Sequence, residues 1–591
     1  MTTKLIYRSV IAAVFAITLS ISISSCKKYL DVEPVSLATP DYVFSNVENA
    51  TKAVLGTYAA LTGDQAYGIR INMYYPYDND EMMGQQGAPG DNERRDIAHY
   101  SAKPSNTQLA APYAQLYSGI ERANLCIYYI PKMEKYTDGT DTEIKELKRL
   151  HGEALTLRAQ YYFELVRNWG DVPAQWQPSY FETDPNKAKT DRDSIYDRLL
   201  SDLAQAAAMV PWRSEITNVD ERLTQGSVRA LRARIALYRG GWSLRSNGQM
   251  ARGSNHIQYY QIAKEETNAV IVSNHHKLNS SFASVFKDYL CGHKIEPNGE
   301  VVWEVAMSGG SSALGDSKLG YYNGPRYNNA GNSALTVLPT FFYSFDSLDT
   351  RRDVTSAPYN INANFTLAGR TLQTMPDGKF RRDWTSNPSM VNTSAQYMGI
   401  NWPLIRFSDV LLMFAEADNE INNGPSAAAT DALRKVRLRA FGGNAALVGT
   451  IPTTKAGFFD AVVKERAWEL ASEGHRKYDL IRWNMLAQKI AETKTQLAAM
   501  AARQAPYNNL PATMYFRTGQ TTMQWAGSFY KPTVTPAPAG HTGVAWVGSG
   551  ITGTLITNNF AVGFTPNKSE LLPIPESAIA ANPNLTQNPN Y

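Results

Sequence analysis

Leu147, Leu150, Ala154, Leu157, Tyr161 and Leu165 recur at steps of three and four, which lines them along one face of a helix and gives it an apolar stripe that must be buried. The stripe ends before Gly170 and Pro173, residues that stop helices. Val228, Leu231, Ile235 and Tyr238 repeat the pattern and stop at Gly240-Gly241, where glycine gives a left-handed cap at least cost. Three more helices are expected from Arg406 onward. Phe407, Val410, Phe414, Ala417 and Ile421 form a stripe closed by Asn423-Gly424-Pro425; Leu433, Val436 and Ala440 precede Gly442-Gly443; Phe459, Val463, Ala467 and Leu470 precede Gly474. Short helices joined by Gly-rich turns are the pattern of stacked helical hairpins, and Ala230, Ala233 and Ala236 permit close helix approach. The chain is predicted to be mainly α, although the period is not regular enough to define a repeat.

Between these blocks lie stretches rich in Gly, Asn, Pro, Ser and Tyr, at about 64–113, 275–405 and 500–575. Loops of such length are functional or disordered, and their aromatic content argues against disorder. The 33 Tyr and 11 Trp of the 591 residues therefore point to binding surface in these loops. A net charge of +4 with no long Lys/Arg block excludes the electrostatic footprint of a nucleic-acid binder.

The N-terminus carries a different signal. Lys4 and Arg8 precede an apolar run from Val10 to Ile23 that is too short to span a bilayer, as in an export signal. The run ends in Ile23-Ser24-Ser25-Cys26, which resembles the bacterial lipobox, whose cysteine is acylated and becomes the new N-terminus. Each buried methylene contributes about 0.8 kcal/mol, so several acyl chains anchor durably where one does not. The expected organisation is a signal peptide over 1–25, a lipidated tether over 26–40 in which Pro34 and Pro40 discourage helix, and a single domain over 41–591. No other segment approaches 18 uninterrupted apolar residues. The remaining cysteines, Cys126 and Cys291, are expected to be buried free thiols, since two do not make a disulfide framework for a chain this large.

Several motifs together resemble the SusD/RagB family of outer-membrane nutrient-binding lipoproteins. They are Cys26-Lys-Lys-Tyr-Leu-Asp31-Val-Glu-Pro34, Arg158 through Pro173, Ala230 through Tyr238, Ile405 through Ala417, Glu465 through Arg476, Tyr478 through Trp483, Leu572-Pro-Ile-Pro575 and Gln587-Asn-Pro-Asn-Tyr591. Their order and spread cover nearly the whole chain after Cys26. The resemblance implies a scaffold of tetratricopeptide-like helical hairpins that supports a loop-rich ligand face. It also implies a partner, a TonB-dependent SusC-like barrel transporter over which the lipoprotein sits as a lid. The family ending has Gly where this chain has Asn590, and both residues tolerate a left-handed turn. Acidic residues arrive only at Asp31 and Glu33, after two lysines, so an extracellular orientation rests on the family resemblance.

Two aromatic clusters supply candidate ligand contacts: Tyr74, Tyr75, Tyr77, Asp78 and Asn79 in the first long loop, and Tyr321, Tyr322, Asn323, Arg326 and Tyr327 in the second. Sugars present C–H faces flanked by hydroxyls, so rigid rings beside hydrogen-bonding groups suit an oligosaccharide. The same rings also suit loop packing or a protein interface, where Tyr is favoured. Arg70 is a weaker addition, and Trp303 in Val301-Val-Trp-Glu-Val reads as a strand or core residue.

Catalysis has no positive signal, and no cofactor is expected. Glu465, Arg466, Glu469, Glu473, Arg476 and Asp479 are spaced for charge pairs on and just after one helix, whereas paired glycosidase carboxylates face each other across a cleft. His275, His276, Cys291 and His293 lack metal-ligand spacing, and Asp78-Asn79-Asp80-Glu81 lacks the frame of a calcium loop. The two rival readings are a surface-anchored glycoside hydrolase and a helical adaptor that binds only protein.

Overall fold

A computed structural model describes residues 39–591, except 88–89, 91–92, 217–220 and 310–312. The signal segment, Cys26 and nearly all of the tether lie outside the described residues. Pro40 does not discourage helix as expected: it opens a short helix, Pro40–Val43, capped by Thr39, because the first helical position needs no N–H.

The body is mainly helical. The principal helices are α1 (Val47–Tyr58), α2 (Thr107–Tyr129), α3 (Asp141–Trp169), α4 (Arg192–Ala207), α5 (Gln225–Gly240), α6 (His256–Val272), α7 (Phe407–Asn422), α8 (Ala427–Ala440), α9 (Lys455–Leu470), α10 (Arg476–Arg482) and α11 (Leu486–Ala501). They pack in series, α2 on α3, α3 on α4, α4 on α5, α5 on α6, α6 on α7, and α7 on both α8 and α9. This is the hairpin stacking that the stripes predict.

Local signals explain the helix ends. Thr140 and Glu143 form a reciprocal capping box at the start of α3, satisfying two of the orphan N–H groups there. Gly170 closes the same helix at φ +73°, a conformation costly for residues with a Cβ. Asn423 ends α7 in the left-handed region, at φ +55°. Gly241 differs from expectation: it is extended, at φ −85°. Its glycine serves close approach instead, because an added Cβ would lie 2.9 Å from the Cβ of Arg482.

Strands are short. β1 (Met82–Met83) pairs with β3 (Thr336–Val337), β2 (Val301–Val305) pairs antiparallel with β4 (Trp402–Arg406), and β5 (Thr513–Arg517) lies between β6 (Trp525–Ala526) and β7 (His541–Ala545). Trp303 on β2 is 3% exposed, as expected of a strand residue in the core. Near the C-terminus, the Nδ2 of Asn588 donates to the carbonyls of Trp169 and Leu572 at 2.9 and 2.8 Å. Asn590 adopts φ +67°, the left-handed geometry expected at that position.

The centre of the C-terminal half is a buried lattice of charges. Arg406, at the end of β4, donates from Nε to Glu473 at 2.6 Å and from Nη1 to Glu469 at 2.8 Å and Glu300 at 3.3 Å. Arg439 on α8 reaches Glu300 and Glu469 at 2.6 and 2.5 Å. Arg351 contacts Glu465 and Glu469 at 2.8 and 3.1 Å, and Lys379 meets Glu473 at 2.7 Å. A second chain of pairs links Asp409, Arg466, Asp479, Arg482 and Glu416. The carboxylates read from sequence as charge pairs on and just after one helix are thus paired across several elements.

Burial alone would raise the Glu469 carboxyl, but Arg439, Arg406 and Arg351 outweigh it and hold the group well below the ordinary carboxylate range. Removing one partner from such a lattice strands a buried charge, so Arg406→Met should cost about 3–5 kcal/mol in urea denaturation. A depressed folded-state value contributes stability above the unfolded value, about 4.3 for Glu, and loses it as pH falls below that. The gap in Tm between wild type and Glu469→Gln should therefore be widest above about pH 5 and shrink below about pH 4.

Candidate ligand-binding site

The two predicted aromatic segments meet, but only in part. A surface depression of about 350 Å³ is lined by Tyr74 and Tyr322, one from each segment, together with Arg70, Arg94, Gln108 and Lys318, while Asp64 and Glu93 edge it. Its size falls within the range of about 300–1,000 Å³ usual for ligand sites.

Short elements position these groups. The helix Arg70–Met73 carries Arg70 and delivers Tyr74 at its end. The helix Glu93–Ala98 presents Glu93 and Arg94. Gln108 sits in the first turn of α2, where the side chain of Asn106 accepts its N–H at 2.9 Å. The N–H of Lys318 donates to the carbonyl of Gly68 at 2.8 Å, which docks the second segment on the first. Only a glycine fits at Gly68, because an added Cβ would lie 2.3 Å from the carbonyl oxygen of Gly63.

The depression is polar. Nη1 of Arg94 donates to the hydroxyls of Tyr322 at 2.9 Å and Tyr74 at 3.4 Å, and its guanidinium lies about 6 Å from both ring centres, within cation–π range. Arg70 donates to the side-chain oxygen of Gln108 at 3.1 Å and to the carbonyl of Asp64 at 2.6 Å. Lys318 pairs with Asp64 at 2.9 Å and lies 4.9 Å from the ring centre of half-buried Tyr397. Burial raises the Tyr74 phenol above its ordinary value, although Arg94 opposes the shift, so it remains a neutral hydrogen-bonding group.

The other sequence-predicted residues are elsewhere. Tyr74 and Tyr322 themselves are 4% and 7% exposed, so they brace Arg94 rather than offering open stacking faces. Tyr321 is half-buried and packs edge-on against Tyr322. Tyr75 is buried against Trp169 and donates to the carbonyl of Gln108, and Tyr77 is buried as well. Asp78 pairs with His99 at 2.7 Å and accepts N–H groups from Gly84 and Ala561. Asn79 closes a turn by accepting from the N–H groups of Glu81 and Met82. Asn323 is buried against Asp377. Tyr327 packs with Ile361 and Val391 in a separate small cluster, and Arg326 is exposed beside Asn332. Packing and hydrogen bonds elsewhere hold Tyr75, Tyr77, Asp78, Asn79, Tyr321, Asn323, Arg326 and Tyr327, and none of these residues lines the depression.

Sequence reasoning misses Arg94, Gln108 and Lys318 as lining residues. They lie outside the aromatic runs, each on a different element, and only the fold brings them together. Among the described residues no group of three or more His, Cys, Asp or Glu is placed to hold a metal ion.

A second recess, of about 260 Å³, lies beside β2 and includes Glu221, Glu304 and Asn401. Burial, and then the neighbouring Glu221, push the Glu304 carboxyl up to about 8. A raised folded-state value means the folded protein holds a proton that the unfolded chain has lost. The wild type should lose stability as pH rises from about 4.5 to 8. Relative to it, the stability advantage of Glu304→Gln should grow through that window and level off above, as read by Tm against pH.

Residues 299–591 match the SusD family, and residues 28–237 match a family described as "Starch-binding associating with outer membrane". The chain is 25% identical over 540 residues to SusD-like protein P25 of Formosa agariphila, covering 85% of this chain and 94% of that protein. A SusD homolog from Bacteroides thetaiotaomicron superposes with a TM-score of 0.75 at 23% identity, covering 93% of this chain and 98% of that one. The surface glycan-binding protein A of the same species, solved with laminarihexaose, superposes with a TM-score of 0.63 at 20% identity over 92% of this chain and 99% of that one. With both parts of the sequence matched and the helical fold shared, the chain belongs to the SusD/RagB family.

Proposed function

We propose that this protein is a lipid-anchored surface receptor that captures an oligosaccharide and delivers it to a TonB-dependent SusC-like barrel transporter, with no covalent chemistry. The observation that carries this reading is the convergence of Arg70, Arg94, Gln108 and Lys318 on one open depression. Hydroxyl-rich ligands need several donors and acceptors held at fixed positions, and here the tyrosine pair holds Arg94 while Asp64 holds Lys318 by its carboxylate and Arg70 by its carbonyl. Relatives in fold include a laminarin-binding SusD-like protein, which supports a saccharide over a peptide.

Micromolar to millimolar capture corresponds to about 4–8 kcal/mol, and hydrogen bonds to charged groups contribute about 1.5–3 kcal/mol each. A few such bonds suffice, and modest affinity permits release to the barrel. The hydrolase reading lacks comparable support, because Glu465, Glu469 and Glu473 are consumed in buried ion pairs.

Affinity electrophoresis against soluble glycans, laminarin included, tests the reading. Arg94→Ala and Lys318→Ala should each weaken retardation by about tenfold, the equivalent of 1.4 kcal/mol, while Tyr327→Ala, outside the depression, leaves it unchanged. Wild-type affinity in both depression variants would refute the site, and hydrolysis of a bound glycan would replace receptor by enzyme. Separately, Cys26→Ser should release the protein from the membrane fraction into the soluble fraction.

A further inference from the structure

The segment that ends the depression at Tyr74 continues to Asp80, and there it walls a third, larger concavity. This groove, of about 540 Å³, runs between α9 and α11 and is floored by Phe341, Val463, Ala467 and Met485. The strand pairing of β1 with β3 and the hydrogen bond from the N–H of Leu338 to the carbonyl of Glu81 bring Asp80 and Thr340 to the same wall. The two loops that meet at the depression therefore meet again here.

Three features of the groove point to a ligand. Trp468 projects from α9 half-buried, its ring held by an Nε1–H bond to Ser344 Oγ at 3.0 Å and by Phe345 at 6.4 Å between centres. It is a fixed platform with part of its surface open. Thr340 is 8% exposed and lines the groove, and its Oγ1 has no hydrogen-bond partner, an expense that a bound polar group would remove. The amides of Gln488 and Gln496, both exposed on α11, stand on the opposite rim.

Charge selects the ligand class. Asp80, Asp460 and Glu492 face Lys464, Arg476 and Lys489, so the groove is balanced, and its closest charges already neutralise each other, Arg476 with Asp80 at 2.7 Å and Lys489 with Glu492 at 2.7 Å. The depression differs, with Arg70, Arg94 and Lys318 against Asp64 and Glu93. A balanced groove offers no net attraction to an ion. It offers instead a ring face, an apolar floor and neutral hydroxyl and amide groups, the composition of a small-molecule site with few, placed polar contacts.

The geometry points to this groove as a second ligand site, independent of the depression, that takes a neutral sugar unit with its C–H face on Trp468 and its hydroxyls toward Thr340, Gln488 and Gln496. The test uses the full chain after the signal segment, labelled with 15N at the indole nitrogens, with the Trp468 resonance assigned through Trp468→Phe. It is titrated with the neutral methyl glycosides of glucose, galactose, mannose and xylose and with their short oligomers.

At least one should shift the Trp468 indole resonance saturably. Gln496→Ala and Thr340→Val should each weaken that binding by about tenfold, and the shift should persist in the Arg94→Ala, Lys318→Ala double variant. Gln496 is exposed, so its variant keeps the test valid if Thr340→Val fails to fold. The assignment is overturned if no member of the panel gives a saturable shift or if the shift disappears with the depression variant.

Discussion

Glu469 is the point on which the C-terminal half of this protein turns. Its side chain meets Arg351, Arg406 and Arg439, which come from the short helix Arg351–Thr355, from β4 and from α8. Its backbone carbonyl accepts from Lys379 and Arg406. A charge so deeply buried is tolerated only when its partners are in place. The same contacts therefore fix where the long excursion between β2 and β4 begins, returns and is pinned along its length. Glu300 at its start and Arg406 at its end share one ion pair, while Arg351 and Lys379 tie its middle to α9 and the turn that follows.

That excursion supplies one side of the depression. Lys318 and Tyr322 are supplied by it, and they dock on a first segment that is itself tied back to the helices by Arg476 to Asp80 and by Lys477 to the carbonyl of Tyr75. The site is thus built from loops whose ends and midpoints are held by charges in a helical frame. Preorganisation of this kind lowers the ordering cost of binding, which suits the capture role proposed above with its few polar contacts.

The helical frame was legible in the sequence because its signals are local. The stripe from Leu147 to Leu165, the stop at Gly170 and the left-handed Asn423 follow from spacing and from backbone sterics within a few residues. Gly241 was legible as a helix end but not in its reason, because the constraint comes from Arg482, far along the chain. The same limit applies more strongly to the site. Tyr74 and Tyr327 look alike as members of aromatic runs, and only tertiary contacts decide that one reaches the depression while the other closes a small separate cluster. Arg94 and Lys318 gave no sign at all, since an isolated cation acquires meaning only from what the fold sets beside it.

Cys126 and Cys291 are both buried and free, and burial pushes each thiol up to about 12. At neutral pH only about one in 10⁵ of either is the thiolate, the form that reacts. The described part of the protein is therefore silent toward maleimides and other thiol probes while it remains folded. One cysteine introduced on an exposed rim position, such as that of Gln496, would react alone there, so a single dye could report what enters the groove.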